Sequence, residues 1–398
     1  MEKINYRELG CESPRFWTGM GVMAFLILLA LLAVYHMEHH GHYVTGMTNQ
    51  VVWGLPHVFA IFLIVAASGA LNVASIGSVF GGPMYKPLGR FSSILAIALL
   101  AGGLMVLVLD LGRPDRLIIA MTEYNFKSIF AWNIYLYTGF FVIVGIYLWA
   151  MIDRKGSKMY RPLGITAFLW RLALTTGTGS IFGFLVAREA YDAAIMAPMF
   201  IIMSFSYGLA FFIITLMAAY WWDDRTIGDL RMSKLRSLLG VFVAAVLYFA
   251  LVYHLSNLYI TQHHGIESFV LLEGGIYTKM FWIGQVLIGG IFPLFLIYSP
   301  AFSSSRFAIM VAAFMVLLGG FFQVYVIVIG GQAFPMTLFP GKEVVESSFF
   351  DGMVNSYVPT LPEAMLGFGG IVVAMTIIAI IARMFPMLPD SLEDPDSI

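Results

Sequence analysis

The sequence predicts an all-α integral membrane protein of about ten transmembrane helices, and three observations carry that prediction. The chain of 398 residues is 60% hydrophobic and only 11% charged, against roughly 25% charged in an ordinary soluble domain. Apolar windows of roughly 20 residues, the length a helix needs to cross the hydrocarbon core, recur along the whole chain. Trp17, Trp53, Trp132, Trp149, Trp221, Trp222 and Trp282 fall near the window ends, where an interfacial aromatic belt places them.

In chain order, the polar stretch Met1 to Arg15 precedes a first window, Phe16 to His36, which is too long for a signal-peptide core and reads as a retained helix. Next come Val52 to Ile76, Phe91 to Leu111, Ser128 to Ile152 and Pro162 to Arg188. The second half supplies Ile195 to Trp222, Ser237 to Gln262, Tyr277 to Ser299, Phe307 to Gly330 and Leu361 to Phe385. Between the first two windows, His36-Met37-Glu38-His39-His40-Gly41-His42 reads as a solvated loop or docking surface rather than a metal site. Residues 331–360 read as a loop with room for a short re-entrant or surface helix.

A shift of 144 residues carries the second to fifth windows onto the sixth to ninth, and lays Arg90 on Lys234, Leu107 on Leu251, Val108 on Val252 and Asp110 on His254. An even number of helices per unit makes this a parallel repeat. The predicted organisation is therefore a four-helix bundle over 52–188 and a second over 195–330. Residues 1–51 contribute the N-terminus, first helix and His-rich outer loop, and 331–398 an outer loop, the last helix and an acidic tail.

A net charge of −1 without a basic stripe argues against nucleic acid as a partner. The only thiol, Cys11, excludes an internal disulfide, a Cys-ligated Fe–S cluster and a Cys-based zinc site. Of the 22 Lys and Arg residues, fifteen fall on one side of the predicted topology and six on the other, with Arg171 alone inside a helix. The positive-inside rule then puts both termini in the cytoplasm, with the chain in the cytoplasmic membrane. All eight histidines map to the outer side or to outer helix halves. Three of the six outer cations, Arg113, Arg116 and Lys127, surround the stretch Leu109-Asp110-Leu111-Gly112-Arg113-Pro114-Asp115-Arg116, where an apolar run ends against the charge rule.

Gly112 and Pro114 form a helix stop, so Asp110 is expected at the helix end and Arg113 to Arg116 just beyond. His57, after Trp53-Gly54-Leu55-Pro56, lies near the outer end of the preceding helix. Antiparallel neighbours would bring this imidazole and the Asp110 carboxylate to one depth between apolar walls, a setting that suits a quinone. Quinol oxidation releases two electrons and two protons, and each ring oxygen needs a hydrogen-bond partner and a route for its proton. Other intramembrane polar residues suggest further roles. Arg171, with Arg188 and Glu189 at the end of its helix, is a candidate proton path, because an intramembrane guanidinium is costly. His254, Asn257 and Gln323 form a candidate second polar site, better explained by helix packing. Haem is not expected, since only His57 and His254 are deep enough and they fall in different bundles.

The motif Leu-Asp-Leu-Gly-Arg-Pro-Asp-Arg, followed by Phe126-Lys127-Ser128 and Trp132-Asn133-Ile134-Tyr135, resembles the NrfD/PsrC family, the quinone-reactive membrane subunits of polysulfide-reductase-like complexes. The resemblance covers Val52 to Gly330 and is to the longer, ten-helix type found in alternative complex III and the sulfite-reduction-associated membrane complex. It implies menaquinone or ubiquinone as substrate and no metal, haem or Fe–S centre in this subunit. It also implies an extracytoplasmic Fe–S subunit and a further molybdopterin or multihaem subunit as partners. Residue by residue, His57 matches the family's quinone-site histidine and Asp110 the acidic residue of the motif, with Gly112, Arg113, Pro114, Asp115 and Arg116 in support. Smaller members carry Asn one turn before that histidine. Trp53 stands there in this chain, so Asn133, Tyr135 and Tyr191 become the candidates for holding the second ring oxygen. Two competing readings of the sequence are a secondary transporter, which lacks here the usual Gly/Pro-broken helix pair, and a purely structural anchor.

Overall fold

The computed structural model describes residues 4–10, 14–153, 158–302, 304–336 and 352–393. Its helices run in the order α1 (Pro14–His40), α2 (Leu55–Ala70), α3 (Asn72–Ser78), α4 (Gly89–Leu109), α5 (Leu117–Thr122), α6 (Ile129–Ile152), α7 (Tyr160–Gly183), α8 (Met196–Trp222) and α9 (Asp229–Tyr259). They continue with α10 (His264–Ser268), α11 (Ile276–Lys279), α12 (Phe292–Tyr298), α13 (Arg306–Tyr325), α14 (Gly331–Ala333) and α15 (Leu361–Met384). π-helical segments Phe269–Glu273, Met280–Ile291 and Val326–Gly330 lie between these elements. The described β-structure is slight: strands β1 (Tyr6–Arg7) and β2 (Leu388–Pro389) pair antiparallel, and Ile227 bridges to Leu392. The protein is an all-α, multi-pass integral membrane protein.

α2 lies at the centre. Its sequence is apolar all round and dense in small residues from Ala66 to Ala70, so neighbours cover every face. It packs on α4, α7, α8, α13 and α15. The closest approach is to α8, where a Cβ on Gly69 would sit 1.5 Å from the Ser204 carbonyl oxygen and one on Gly208 would sit 2.1 Å from the Ala70 nitrogen. Small residues drive such packing in lipid, where hydrophobicity gives no force between helices. α6 packs on α7, and α13 on the π-helical Met280–Ile291. α1 leans on α15, which lies against α4 and α2, and α1 leaves most of its surface bare.

Nine described spans are long and apolar enough to cross a membrane. The tenth expected window is a 24-residue helix too, α7, but Arg171 and its Thr, Ser and Gly residues keep it out of that apolar class. The pairing of β1 with β2 brings the two ends of the chain to one face. That pairing fits an even number of crossings, ten if α7 spans with the other nine.

Three expectations need correction. The tract His36 to His42 is not a loop, because α1 runs on through His40. Met37 is fully buried against Ala60, Val106 and Leu366, which extends the packed face of α1 by a turn beyond its apolar window. The outer connections carry short helices that hydropathy does not reveal, α5 and α10, because they are only 6 and 5 residues long. The break at Leu71 also divides the second window into α2 and α3. Cys11 and most of the 331–360 connection, from 337 to 351, lie outside the described residues.

Candidate quinone site

α4 ends as its sequence dictates. Asp110 is the C-cap, its N–H donating to the Val106 carbonyl at 3.1 Å, and Gly112 follows at φ 67, the left-handed conformation that glycine adopts at least cost. Pro114 then opens a 3₁₀ turn through Arg116. This stop leaves the Asp110 side chain fully buried at the end of an apolar helix, where a lone carboxylate would be costly. Its partner comes from α2. His57 lies half a turn inside the α2 N-terminus, which Gly54 and Pro56 set, and its Nδ1–H donates to Asp110 Oδ2 at 2.6 Å. The other ring nitrogen, Nε2, has no hydrogen-bond partner among the described residues.

The imidazole forms part of the wall of a cavity of about 460 Å³ between α2, α4, α5, α6 and α7. That volume lies within the range of small-molecule sites. The lining is mainly apolar: Ile61, Ile64, Leu104, Leu107, Val108 and Leu111 from α2, α4 and its end, with Phe130, Ile134, Ile181 and Phe182 facing them. Leu111, Met121 and Phe130 of this lining are exposed, so the cavity opens on the exterior of the protein through apolar side chains. Few polar groups enter it. Trp53 stacks on His57 at 6.3 Å and 19°. Asn133 is held by the Ile129 and Gly177 carbonyls, to which its Nδ2 donates at 2.9 and 3.1 Å. Its Oδ1 accepts from Thr178 at 3.4 Å, and Thr178 in turn lies 3.5 Å from the Tyr137 hydroxyl.

Helix termini from elsewhere in the sequence fix this wall. Gln332 Oε1 accepts from the Val52 and Trp53 N–H groups, both at 3.0 Å, while its Nε2 donates to the Trp53 and Val328 carbonyls. The Tyr357 hydroxyl accepts from Leu55 N–H at 2.7 Å and donates to Glu363 Oε1 at 2.7 Å. Glu363, fully buried at the start of α15, also accepts from Gly46 N–H, Thr360 N–H and Thr360 Oγ1. Burial and then the Glu363 carboxylate hold the Tyr357 hydroxyl far above its ordinary pKa, so it stays a neutral donor.

This local architecture coincides with a family profile described as "Polysulphide reductase, NrfD", which matches residues 43–336. The chain belongs to the NrfD family. It is 26% identical over 392 residues to the Hdr-like menaquinol oxidoreductase integral membrane subunit of Archaeoglobus fulgidus, covering 97% of both sequences. It is 22% identical over 405 residues to the C subunit of the selenate reductase of Mesobacillus selenatarsenatis, covering 92% of this sequence and 93% of that one. To the menaquinone reductase integral membrane subunit of Nitratidesulfovibrio vulgaris it is 22% identical over 415 residues, with 96% and 95% covered.

The remaining residues singled out in this NrfD protein fall in several places. Arg113 does not hold Asp110. Its Nε and Nη2 donate to Asp115 Oδ1 and Oδ2, each at 3.0 Å, on the exposed surface. Those hydrogen bonds hold the Asp115 carboxyl below and the Arg113 guanidinium above their ordinary ranges. Arg116 is exposed beside them. Tyr135 lies outside the cavity, its hydroxyl donating to the Met121 carbonyl at 3.2 Å. Tyr191 is buried behind Trp53, stacked at 6.4 Å, with its hydroxyl donating to the Val328 carbonyl. Sequence reasoning missed Tyr137 and Thr138 of the lining, although Asn133 and Tyr137 share one helix face at i, i+4. It missed Gln332, Tyr357 and Glu363 altogether: the Val52, Trp53, Leu55 and Gly46 backbone groups that they hold lie hundreds of residues away, although Thr360-x-x-Glu363 has the spacing of a capping box.

Arg171 sits between Phe168 and Phe205, its guanidinium 4.8 and 5.0 Å from their rings, with Nε and Nη1 buried and unpartnered. Arg188 instead donates to the Gln332 and Gln50 carbonyls at the histidine-bearing face. No hydrogen bond joins Arg171 to Arg188 or Glu189 among the described residues. In the second half, His254 Nδ1–H donates to Glu267 Oε2 at 2.7 Å, Asn257 Nδ2 donates to Glu267 Oε1 at 2.8 Å, and His263 Nδ1–H donates to Asn257 Oδ1 at 3.0 Å. Gln323 accepts from the Tyr207 hydroxyl at 2.6 Å and borders, with His254 and Glu267, a cavity of about 30 Å³, the size of one water.

Proposed function

We propose that this chain is the quinone-reactive membrane subunit of a multi-subunit respiratory oxidoreductase. It exchanges electrons between a menaquinol or ubiquinol in the membrane and an iron–sulfur or haem subunit docked on the histidine-bearing face. The observation that carries the reading is His57, hydrogen-bonded to the buried Asp110 and set in the wall of an apolar cavity of about 460 Å³ that opens on the protein's exterior. The names of the A. fulgidus and N. vulgaris relatives, menaquinol oxidoreductase and menaquinone reductase membrane subunits, support the substrate class.

In this reading a quinol head enters from the lipid and places one hydroxyl at His57 Nε2. Asp110 fixes the tautomer through Nδ1–H and stabilises the imidazolium that forms when the hydroxyl proton arrives. Asn133, Thr178 and Tyr137 supply the polar patch for the second ring oxygen, and Trp53 packs on the ring plane. The electrons pass to the partner's metal centre, and the reverse direction uses the same groups. Residues 52–188 form the quinone bundle and 195–330 its duplicated companion. The charge asymmetry of the loops supports a cytoplasmic membrane location with both termini in the cytoplasm.

In the assembled complex, His57→Gln and Asp110→Asn are expected to lower quinol-linked turnover by about 100-fold or more, while the complex still assembles. A cavity-filling quinone analogue should bind the wild-type subunit and lose affinity in Trp53→Ala. Wild-type turnover in both dyad variants would overturn the assignment, and unaltered assembly without analogue binding would reduce the chain to a structural anchor.

A further inference from the structure

We propose that His42 is a positioning and relay residue that carries protons between the His57–Asp110 pair and the water at the histidine-bearing face; this rests on the quinone-site reading above. Two buried polar atoms without partners prompt the inference. Asp110 gives Oδ2 to His57, but its Oδ1 is buried and has no hydrogen-bond partner among the described residues. His42 Nε2 is likewise buried and unpartnered. Each such atom costs stability, and both belong to groups that take up and release protons.

The backbone brings them into one neighbourhood. The imidazole of His42 lies against Gly112, where an added Cβ would come within 3.3 Å of its Nδ1, and Gly112 follows Asp110 by two residues. The left-handed turn at Gly112 and its lack of a side chain let the ring close over the end of α4. Arg113, the nearest cation in sequence, is engaged by Asp115 and leaves the Asp110 carboxylate to His57. Further imidazoles precede His42 in the chain. His36, His39 and His40 are exposed on the last turns of α1, with ring centroids 4.4 Å apart for His36 and His40 and 5.0 Å for His39 and His40.

For each proton of a quinol, the O–H bond breaks as N–H forms at His57 Nε2, while the two electrons leave one at a time to the one-electron metal centre of the partner subunit. The Nδ1 proton moves to the Asp110 carboxylate. The carboxyl group then releases that proton through intervening water to His42 Nε2, and His42 gives up its Nδ1 proton to bulk water. Each ring returns its remaining proton from Nε2 to Nδ1, by rotation or through water, before the second quinol proton is taken. Quinone reduction runs the same steps backwards.

The test compares His42→Gln, His42→Ala and His57→Gln in the purified complex with a short-chain quinol, in H₂O and D₂O. Both His42 variants should lose about tenfold or more in kcat with KM for the quinol unchanged. Their solvent isotope effect should rise above that of the wild type, and added imidazole should restore His42→Ala. Wild-type kcat in His42→Gln would overturn the relay, as would a loss that imidazole does not repair and that leaves the isotope effect unmoved. His57→Gln separates the two levels: if it too retains turnover, the quinone-site reading itself has failed, whereas its inactivity beside a normal His42→Gln condemns only the relay.

Discussion

At the scale of single residues, the dyad facing the cavity was largely legible and the groups that support it were not. The helix stop at Gly112 and Pro114 fixed where Asp110 would stand, whereas His57, expected near the outer end of a window beginning at Val52, lies only half a turn inside α2, which begins at Leu55. What the sequence could not distinguish was which cation, if any, neutralises Asp110. Three lie within 17 residues, yet the fork geometry of Arg113 matches Asp115, two residues away. Asp115 therefore has a lowered pKa, so any stability it contributes is present above the ordinary carboxylate range and fades as the pH falls through the lowered value. Because the pair is wholly solvated, Asp115→Asn should leave both the melting temperature at pH 7 and quinol turnover unchanged. Gly112→Ala should behave otherwise. Its φ of 67 costs an L-residue about 1–2 kcal/mol, and its Cβ would press on the His42 ring. Lower thermal stability and slower turnover together are the expected outcome, read by a melting curve and a steady-state assay on the same preparation.

Elements meet at places that hydropathy does not mark. The start of α2, which carries His57, hangs on Gln332 from α14 and on Tyr357 and Glu363 from the approach to α15. Replacing Glu363 with Ala strands the Gly46 and Thr360 N–H groups and the Tyr357 hydroxyl in a buried setting. A loss of about 1–3 kcal/mol follows, together with weaker binding of a quinone analogue, because the wall bearing Trp53 and His57 loses its anchor. Calorimetry of the ligand titration would separate the two effects. The contact of α2 with α8 is limited by backbone rather than by side chains, so Gly208→Ala should destabilise by about 1–3 kcal/mol, a change that no repacking of rotamers relieves. Such contacts are silent in a sequence, where a glycine in an apolar helix carries no sign of what lies beside it.

Across the whole molecule, the 144-residue shift has a structural counterpart. α2, α4, α6 and α7 map onto α8, α9, the span from Ile276 to Tyr298 and α13, and each half places a histidine–carboxylate hydrogen bond near the end of its second helix. In the first half that helix supplies the acid, Asp110. In the second it supplies the base, His254, and the acid Glu267 comes from α10, a short helix without a counterpart in the apolar pattern. The first pair puts its histidine in the wall of a cavity of about 460 Å³; the second borders one of about 30 Å³. Sequence reasoning recovered the long apolar spans because lipid demands them, and it missed Glu267 and His263 because they sit in the polar connection after α9. Pairing of β1 with β2 predicts that reporters fused to the two termini read the same side of the membrane, and reporters placed after α4 or α9 the other. Opposite readings at the termini would mean that α7 does not cross.

Trp53 lies between His57 and Tyr191, stacked at 6.3 and 6.4 Å. An indole beside an imidazole is a photophysical reporter of that ring's charge, since the protonated form quenches indole emission and the neutral form does so weakly. The difference in fluorescence between the wild type and Trp53→Phe therefore isolates one signal from the eight tryptophans. Followed after rapid mixing with quinol, it would time the arrival of each proton at His57 without any added label.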